Sequence, residues 1–534
     1  MKKGESDLTT SLLKKIGQLF IVGFNGKTVS SEIKQMIHTY HIGGVILFNR
    51  NIGSPEETLA LTSELQREAR RAKYEFPLLI GVDQENGVVR RLGAGATILP
   101  GAMTLGATHY PHHAYTIGEI TGKELQALGI NWNLAPVLDI NTNPKNPVIG
   151  VRSFGECPGK VARFGKAMMT GMRDVGMITT LKHFPGHGDT HVDSHVNLPI
   201  ITHDVERLHR VELKPFQVCI EEGADVVMTA HVYFPHLEPE RNVPATLSRS
   251  VITDVLRNKL GYQGVVTTDC LEMDAIAQGM GTEEGALQAI KAGADLVMIS
   301  HTVNKQIRSI YKIYHAVING QLSEEEIQHA ILRINALKEK YLHWKTVDRK
   351  AEHDPLKLIG CEQHRRMALD VYQNGVTIVE NEPLFPIQIN RGQRIIVIEP
   401  KHHPTLFVEG QHTSHVTLGR LVRNYAKSAE LYSHSTVPTD SEMIRITSQI
   451  RQSDLVILGV HTKSSSRFYQ RLIMQLEEIG VSVVIMAMKS PYDVANLRAS
   501  AYVYTYEHTK PALATAVDAI FGKIRVQGKL PIQC

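Results

Sequence analysis

Residues 182–195 read Lys-His-Phe-Pro-Gly-His-Gly-Asp-Thr-His-Val-Asp-Ser-His, the segment of this chain richest in side chains that can move protons. His183, His187, His191 and His195 recur at every fourth position. On a single helix they would share one face and could hold zinc. Pro185, Gly186 and Gly188 interrupt that repeat, and such residues break helices. A loop is therefore expected, and no metal is assigned to it. Within a loop the useful pair is Asp193 and His195. A carboxylate beside an imidazole fixes its tautomer and raises its proton affinity. Such a histidine can act as general acid and then as general base near neutral pH. The competing reading is a solvated loop whose Asp and His only cap turns.

Asp269 closes the apolar run 264–269. Its carboxylate could attack a sugar carbon. It could equally cap a helix opened by Cys270-Leu271-Glu272, since Asp is a good N-cap. A third group suits binding. Asp83, in GVDQENG, can accept from sugar hydroxyls, with Arg91 following it. Arg152, in NPVIGVRSFG, and the donors Lys182 and His183 complete the group. Asp139 and His231 read as satisfied polar residues at strand ends. Glu272 and Asp274 read as residues on a solvated helix face.

These side chains need a frame. Short runs rich in Val, Ile and Leu lie at 17–24, 43–48, 77–83, 130–139, 178–184, 225–231, 264–269 and 295–301. They show little alternation, as expected of strands buried on both faces. Amphipathic stretches such as 203–223 and 282–293 lie between them, which argues for βαβ units. Eight strands is the number that closes a (β/α)8 barrel of the TIM type, with a doubly wound sheet as the competitor. Asp83, Asp139, His183, His231, Asp269 and His301 end their runs, on the face where barrel enzymes build active sites. The barrel is placed at 1–345. A charged stretch containing Pro355 marks a linker at 346–370. A smaller three-layer α/β domain is expected over 371–534. Its strands are placed at 394–400, 454–460, 481–488 and 501–506, and its helices at 470–480 and 509–523.

Composition narrows the function classes. Apolar residues make up 43% and charged residues 21% of 534, as in ordinary globular proteins. Lys and Arg number 58 against 54 Asp and Glu, a net charge of +4 with histidines neutral. That balance gives no support for a nucleic-acid or membrane-surface protein. No apolar run reaches the roughly 18 residues of a membrane-spanning helix. The basic start, MKKGESDLTTSLLKK, lacks the apolar stretch of a secretory signal. Cys157, Cys219, Cys270, Cys361 and Cys534 are widely spaced without a C-x-x-C pair, which reads as reduced thiols and a cytoplasmic location.

The motifs together carry a resemblance. GVDQENGVVRRL, NPVIGVRSFG, KHFPGHGDTHVDSH, VMTAHVYFP, VPATLS and GVVTTDCLEM resemble, in order, those of the glycoside hydrolase family 3 β-N-acetylglucosaminidases, over about residues 10–340. The loop ending in Asp-Ser-His resembles that branch and not the β-glucosidases, which take a Glu from a later domain. The resemblance implies Asp269 as nucleophile and His195 as acid/base with Asp193 its partner. It implies Asp83, Arg91, Arg152, Lys182 and His183 as sugar-binding residues. Asn86 stands where Gly is common and Val88 where Arg is common, which bears on the shape of that loop. The C-terminal part resembles the extra domain of many Gram-positive members, with GKLPI typical of its end, and no catalytic residue is assigned there. The implied activity is exo-acting, retaining release of terminal GlcNAc from cell-wall fragments (muropeptides) or chito-oligosaccharides, without a cofactor. Phosphorolysis on the same Asp-His pair is the alternative, ahead of a metal-dependent hydrolase using the histidine run. Oligomeric state is left open.

Overall fold

The computed structural model describes residues 11–349, 354–389, 392–401, 409, 417–462 and 465–532. Eight parallel strands close a barrel in sequential order: β1 Phe20–Val22, β2 Gly44–Leu47, β3 Leu79–Val82, β4 Trp132–Asn133, β5 Ile178–Phe184, β6 Val226–Thr229, β7 Val265–Cys270 and β8 Leu296–Ile299. They coincide with the eight apolar runs. Nearly every residue in them is buried, because helices cover the outside and side chains fill the inside. β4 is short although its run is long. Pro136 has no N–H to donate, and beyond Asn133 the regular ladder gives way to scattered backbone hydrogen bonds and a bridge between Val137 and Lys182.

Two strands depart from regular pairing, both near their C-terminal ends. β5 shifts register against β6 between Leu181 and Phe184, and β7 shifts against β8 between Thr267 and Cys270. Irregularities of this kind re-aim side chains beside active sites. They fall on the stretches that carry Lys182, His183 and Asp269.

The second sheet runs β11-β10-β12-β13-β14-β9. Its members are β9 Thr377–Glu380, β10 Ile395–Pro400, β11 Glu430–His434, β12 Leu455–Val460, β13 Ser482–Ala487 and β14 Ala501–Tyr504. All pairs are parallel except β14 with β9. The four central strands match the sequence expectation. The edge strands β9 and β11 were not anticipated, being short and only partly buried. Residues 362–375, which the sequence divides between linker and second domain, form one continuous helix.

Polar contacts dock the second sheet's loops on the barrel. The Glu507 carboxylate, raised in pKa by burial, accepts from Tyr372 Oη at 2.6 Å and from the Gly101 N–H at 2.8 Å. Tyr492 Oη donates to Glu156 at 2.6 Å and accepts from Asn141 at 3.1 Å. These contacts reach the loops after β3 and β4, which carry Arg91 and Arg152.

Candidate active site

A cavity of about 490 Å³ opens at the C-terminal mouth of the barrel, a volume typical of small-molecule sites. Asp83, Arg91, Arg152, Lys182, His183, His195 and Asp269 all line it. Asp193 stands behind His195. The structure thus brings together every residue assigned to the site from sequence.

One wall is an ion network. Lys182 Nζ donates to Asp83 at 2.7 Å and lies 2.6 Å from Glu85. The Arg152 fork meets Glu85 through Nε and Nη2, both at 2.8 Å. Two cations face two carboxylates, so the cluster balances its charge away from water. Burial alone would raise Glu85, and the Arg152 and Lys182 charges reverse that and hold it well below the usual range. Asp83 is the member left partly open, 20% exposed against 7% for Glu85 and 2% for Lys182. It therefore retains lone pairs for a ligand hydroxyl. Glu85 was missed from sequence. Asp83-x-Glu85 is the spacing that puts two side chains on one face of an extended segment, and two buried cations require a second anion. Changing Glu85 to Gln should leave that charge uncompensated. We expect a loss of about 3–5 kcal/mol in chemical unfolding, with a higher KM.

Asp139 and His231 are satisfied, as expected, yet both serve the site. Asp139 is fully buried and accepts from His183 Nδ1 at 2.7 Å and from the His187 N–H at 2.6 Å. That leaves His183 Nε2 to accept from Arg152 at 3.4 Å. His231 Nε2 lies 3.0 Å from the Cys270 carbonyl and so holds the end of β7 next to Asp269.

Asp269 is not a helix cap. β7 runs through Cys270, and the next helix begins at Asp274. The Cys270 N–H instead donates to Asp269 Oδ1 at 2.7 Å. Burial alone would raise the Asp269 carboxyl. Attraction to the His231, His183 and His195 side chains, with the Cys270 N–H, overrides burial and holds it at about 2. Asp269 is therefore an anion across the physiological range.

The loop after β5 is irregular, as Pro185 and the glycines required. Gly186 has φ +145, and a Cβ on Gly188 would stand 1.7 Å from the Ile140 carbonyl oxygen. The four histidines do not converge. His183 pairs with Asp139, His187 bonds Thr190 and Ser194, His191 meets Asn143, and His195 pairs with Asp193. Among the described residues no group of three or more metal-ligating side chains forms. Asp193 Oδ1 takes both His195 Nδ1 at 2.7 Å and the His195 N–H at 2.9 Å. Burial lowers the His195 pKa, but the Asp193 bond and charge, with Asp269 beyond, raise it above its usual 6.5 overall. With Nδ1 engaged by Asp193, Nε2 is the nitrogen left for a ligand.

Glu272 corrects the sequence reading. Its side chain is 6% exposed, not solvated, and accepts the His301 N–H at 2.6 Å. Phe48 and Arg50, unassigned from sequence, also line the cavity, with His301, the strand-end residue noted there; the Arg50 guanidinium lies 4.4 Å from the Phe48 ring centre. From the second domain Glu409, ion-paired with Lys489, reaches the same cavity. Asn86, in place of the common Gly, sits at φ +73, which Asn tolerates, and bonds Gln84 and Thr121.

A barrel whose mouth sets an anionic Asp and an Asp-supported His beside an ion cluster with one partly open carboxylate suits a glycoside hydrolase. Residues 11–337 match the model described as "Glycosyl hydrolase family 3 N terminal domain". The chain belongs to glycosyl hydrolase family 3. It is 29% identical to beta-hexosaminidase A of Pseudoalteromonas piscicida, over 95% of this chain and 91% of that one. It is 37% identical to a beta-hexosaminidase of Xylella fastidiosa, over 53% of this chain and 83% of that one. The solved structure of a family 3 beta-N-acetylglucosaminidase from a Paenibacillus species superposes with a TM-score of 0.87 at 37% identity, covering 98% of both chains.

Proposed function

We propose that the protein is a retaining β-N-acetylglucosaminidase that releases terminal GlcNAc by double displacement. The observation that carries this reading is the placement of Asp269 and His195 on one cavity, beside the Asp83–Lys182–Glu85–Arg152 network. Asp269 attacks C1, and His195 gives its Nε2 proton to the departing oxygen. The glycosyl-enzyme then meets a water whose proton returns to His195, so two inversions give net retention. Asp193 stabilises the imidazolium and holds the ring in register. Asp83, Arg91, Arg152, Lys182 and His183 bind the sugar hydroxyls and acetamide. The names of the similar β-hexosaminidases and β-N-acetylglucosaminidase support an N-acetylated sugar. The substrate we favour is GlcNAc β-linked to N-acetylmuramic acid or to a second GlcNAc, with cell-wall fragments recycled in the cytosol. The free thiols of Cys157, Cys219, Cys270 and Cys361 fit a reducing compartment.

The deciding experiment is mass spectrometry of the products from an aryl β-N-acetylglucosaminide in phosphate buffer. Free GlcNAc supports hydrolysis. GlcNAc-1-phosphate makes phosphate the second acceptor on the same residues. Cleavage of a glucoside instead overturns the N-acetylglucosaminidase reading. NMR of the first-formed anomer tests retention.

The pH profile follows from the two charges. The first step needs Asp269 ionised and His195 protonated. Asp269 is ionised above about 2, so kcat/KM should not fall through the usual carboxylate range near pH 4. It should fall only as pH rises through the His195 pKa, above 6.5. Asp193→Asn removes the charge that raises that pKa, so the alkaline limb should move to lower pH. An unmoved limb in this variant assigns it to another group.

A further inference from the structure

His195 stands on a loop with little to hold it. Val192 and Val196 flank the pair and are 41% and 68% exposed, so no apolar burial fixes this segment. The Asp193–His195 bond is internal to the loop and orients the ring without placing the loop. Among the described residues, the side-chain hydrogen bond that ties residues 192–196 to the barrel runs from Ser194 Oγ to His187 Nε2, at 3.0 Å. The Ser194 carbonyl also accepts from the Ala275 N–H at 3.4 Å, a long contact.

His187 itself is firmly held. It is 3% exposed, its N–H donates to Asp139, and its carbonyl accepts from Asn146 at 2.8 Å. The Thr190 hydroxyl donates to that same carbonyl at 3.2 Å. Its proton is thus used, so Thr190 Oγ1 accepts from His187 Nδ1–H at 2.9 Å. The Nε2 lone pair is then left to accept from Ser194 Oγ. This arrangement requires a neutral ring, because an imidazolium has no lone pair to offer. Burial keeps it neutral, lowering the His187 pKa to about 4.

We propose that His187 is a positioning residue for acid/base catalysis, fixing through Ser194 where His195 stands relative to Asp269. The same Asp139 carboxylate that aims His183 at the sugar wall anchors His187, so the binding wall and the acid/base share one buried support. The proposal rests on His195 being the acid/base.

The test uses Ser194→Ala, His187→Asn, His187→Gln and His195→Ala on aryl β-N-acetylglucosaminides of graded leaving-group acidity, with chitobiose as the poorest. Asn reaches only the Nδ1 position and keeps the Thr190 bond. Gln reaches the Nε2 position and can accept from Ser194. Proton donation matters only for poor leaving groups. Ser194→Ala and His187→Asn should therefore lower kcat/KM on chitobiose about three- to tenfold, the equivalent of one neutral hydrogen bond. The dinitrophenyl substrate should change less than twofold, and His187→Gln should recover most of the loss. An equal loss on both substrates in Ser194→Ala, or no loss on either, overturns the proposal. Ser194→Ala removes a single oxygen, so it reports even if the His187 variants fail to fold. His195→Ala separates the two levels. If it shows no leaving-group dependence, the acid/base reading itself fails. If it does and Ser194→Ala does not, only the latch fails.

Discussion

Asp269→Asn is expected to lower kcat on an aryl β-N-acetylglucosaminide by about 10⁴-fold or more, with the fold intact. The substitution keeps the shape, and the amide oxygen can still accept from the Cys270 N–H that Asp269 Oδ1 now takes. What it removes is the carboxylate charge that lines the cavity with His195. A loss of 10⁴ corresponds to about 5.5 kcal/mol of transition-state stabilisation. Circular dichroism and melting of the variant belong in the same experiment, to separate a lost catalytic group from a lost fold. Intact-protein mass spectrometry with a fluorinated glycosyl probe should show a covalent adduct on the native enzyme, and peptide mapping should place it on Asp269. Activity within tenfold of native, or an adduct elsewhere, removes Asp269 from the role of nucleophile.

His195→Ala carries the second large effect, and its size should depend on the substrate. With an alkoxide-like leaving group, loss of the proton donor should cost about 10²–10⁴-fold in kcat/KM. With a dinitrophenolate, which departs without a proton, the cost should be a few-fold. kcat on that substrate should still fall, because the second step then lacks its base and the glycosyl-enzyme accumulates. A burst of phenolate followed by a slow steady state is the expected trace. The charge balance gives the reason for this asymmetry. Asp193 favours the protonated form of His195, beside an Asp269 held anionic, so the proposed proton donor and nucleophile stand together on one cavity. Uniform loss across substrates would assign His195 to binding or packing.

Much of this arrangement was written locally. The eight barrel strands are apolar runs that need no partner to be recognised, because burial on both faces imposes its own composition. Pro185, Gly186 and Gly188 argued for a loop over a helix, and in the loop the four histidines take separate partners. Asp193-x-His195 was legible because both halves of the pair lie on one short segment. The edge strands β9 and β11 were not legible. Each has one face or edge in solvent, and such strands lose the apolar signature on which sequence reading depends.

The rest depended on residues far apart in the chain. Glu85 is needed because Lys182 and Arg152, separated from it by 97 and 67 positions, bring two charges into one buried volume. Asp269 had two readings of equal merit. Only the continuation of β7 through Cys270 removed the helix-cap reading, and it set Asp269 on the cavity that His195 also lines. Glu272 looked like a solvated helix residue because nothing local shows that the β8 end, with the His301 N–H, closes over it. The second domain's reach into the cavity through Glu409 likewise has no local sign. Sequence by itself determined which side chains are available for chemistry, since acids, bases and loop formers are properties of single residues and short segments. The tertiary structure decided which charges neutralise one another and which face the cavity, because electrostatic energy depends on distances that barrel closure alone sets.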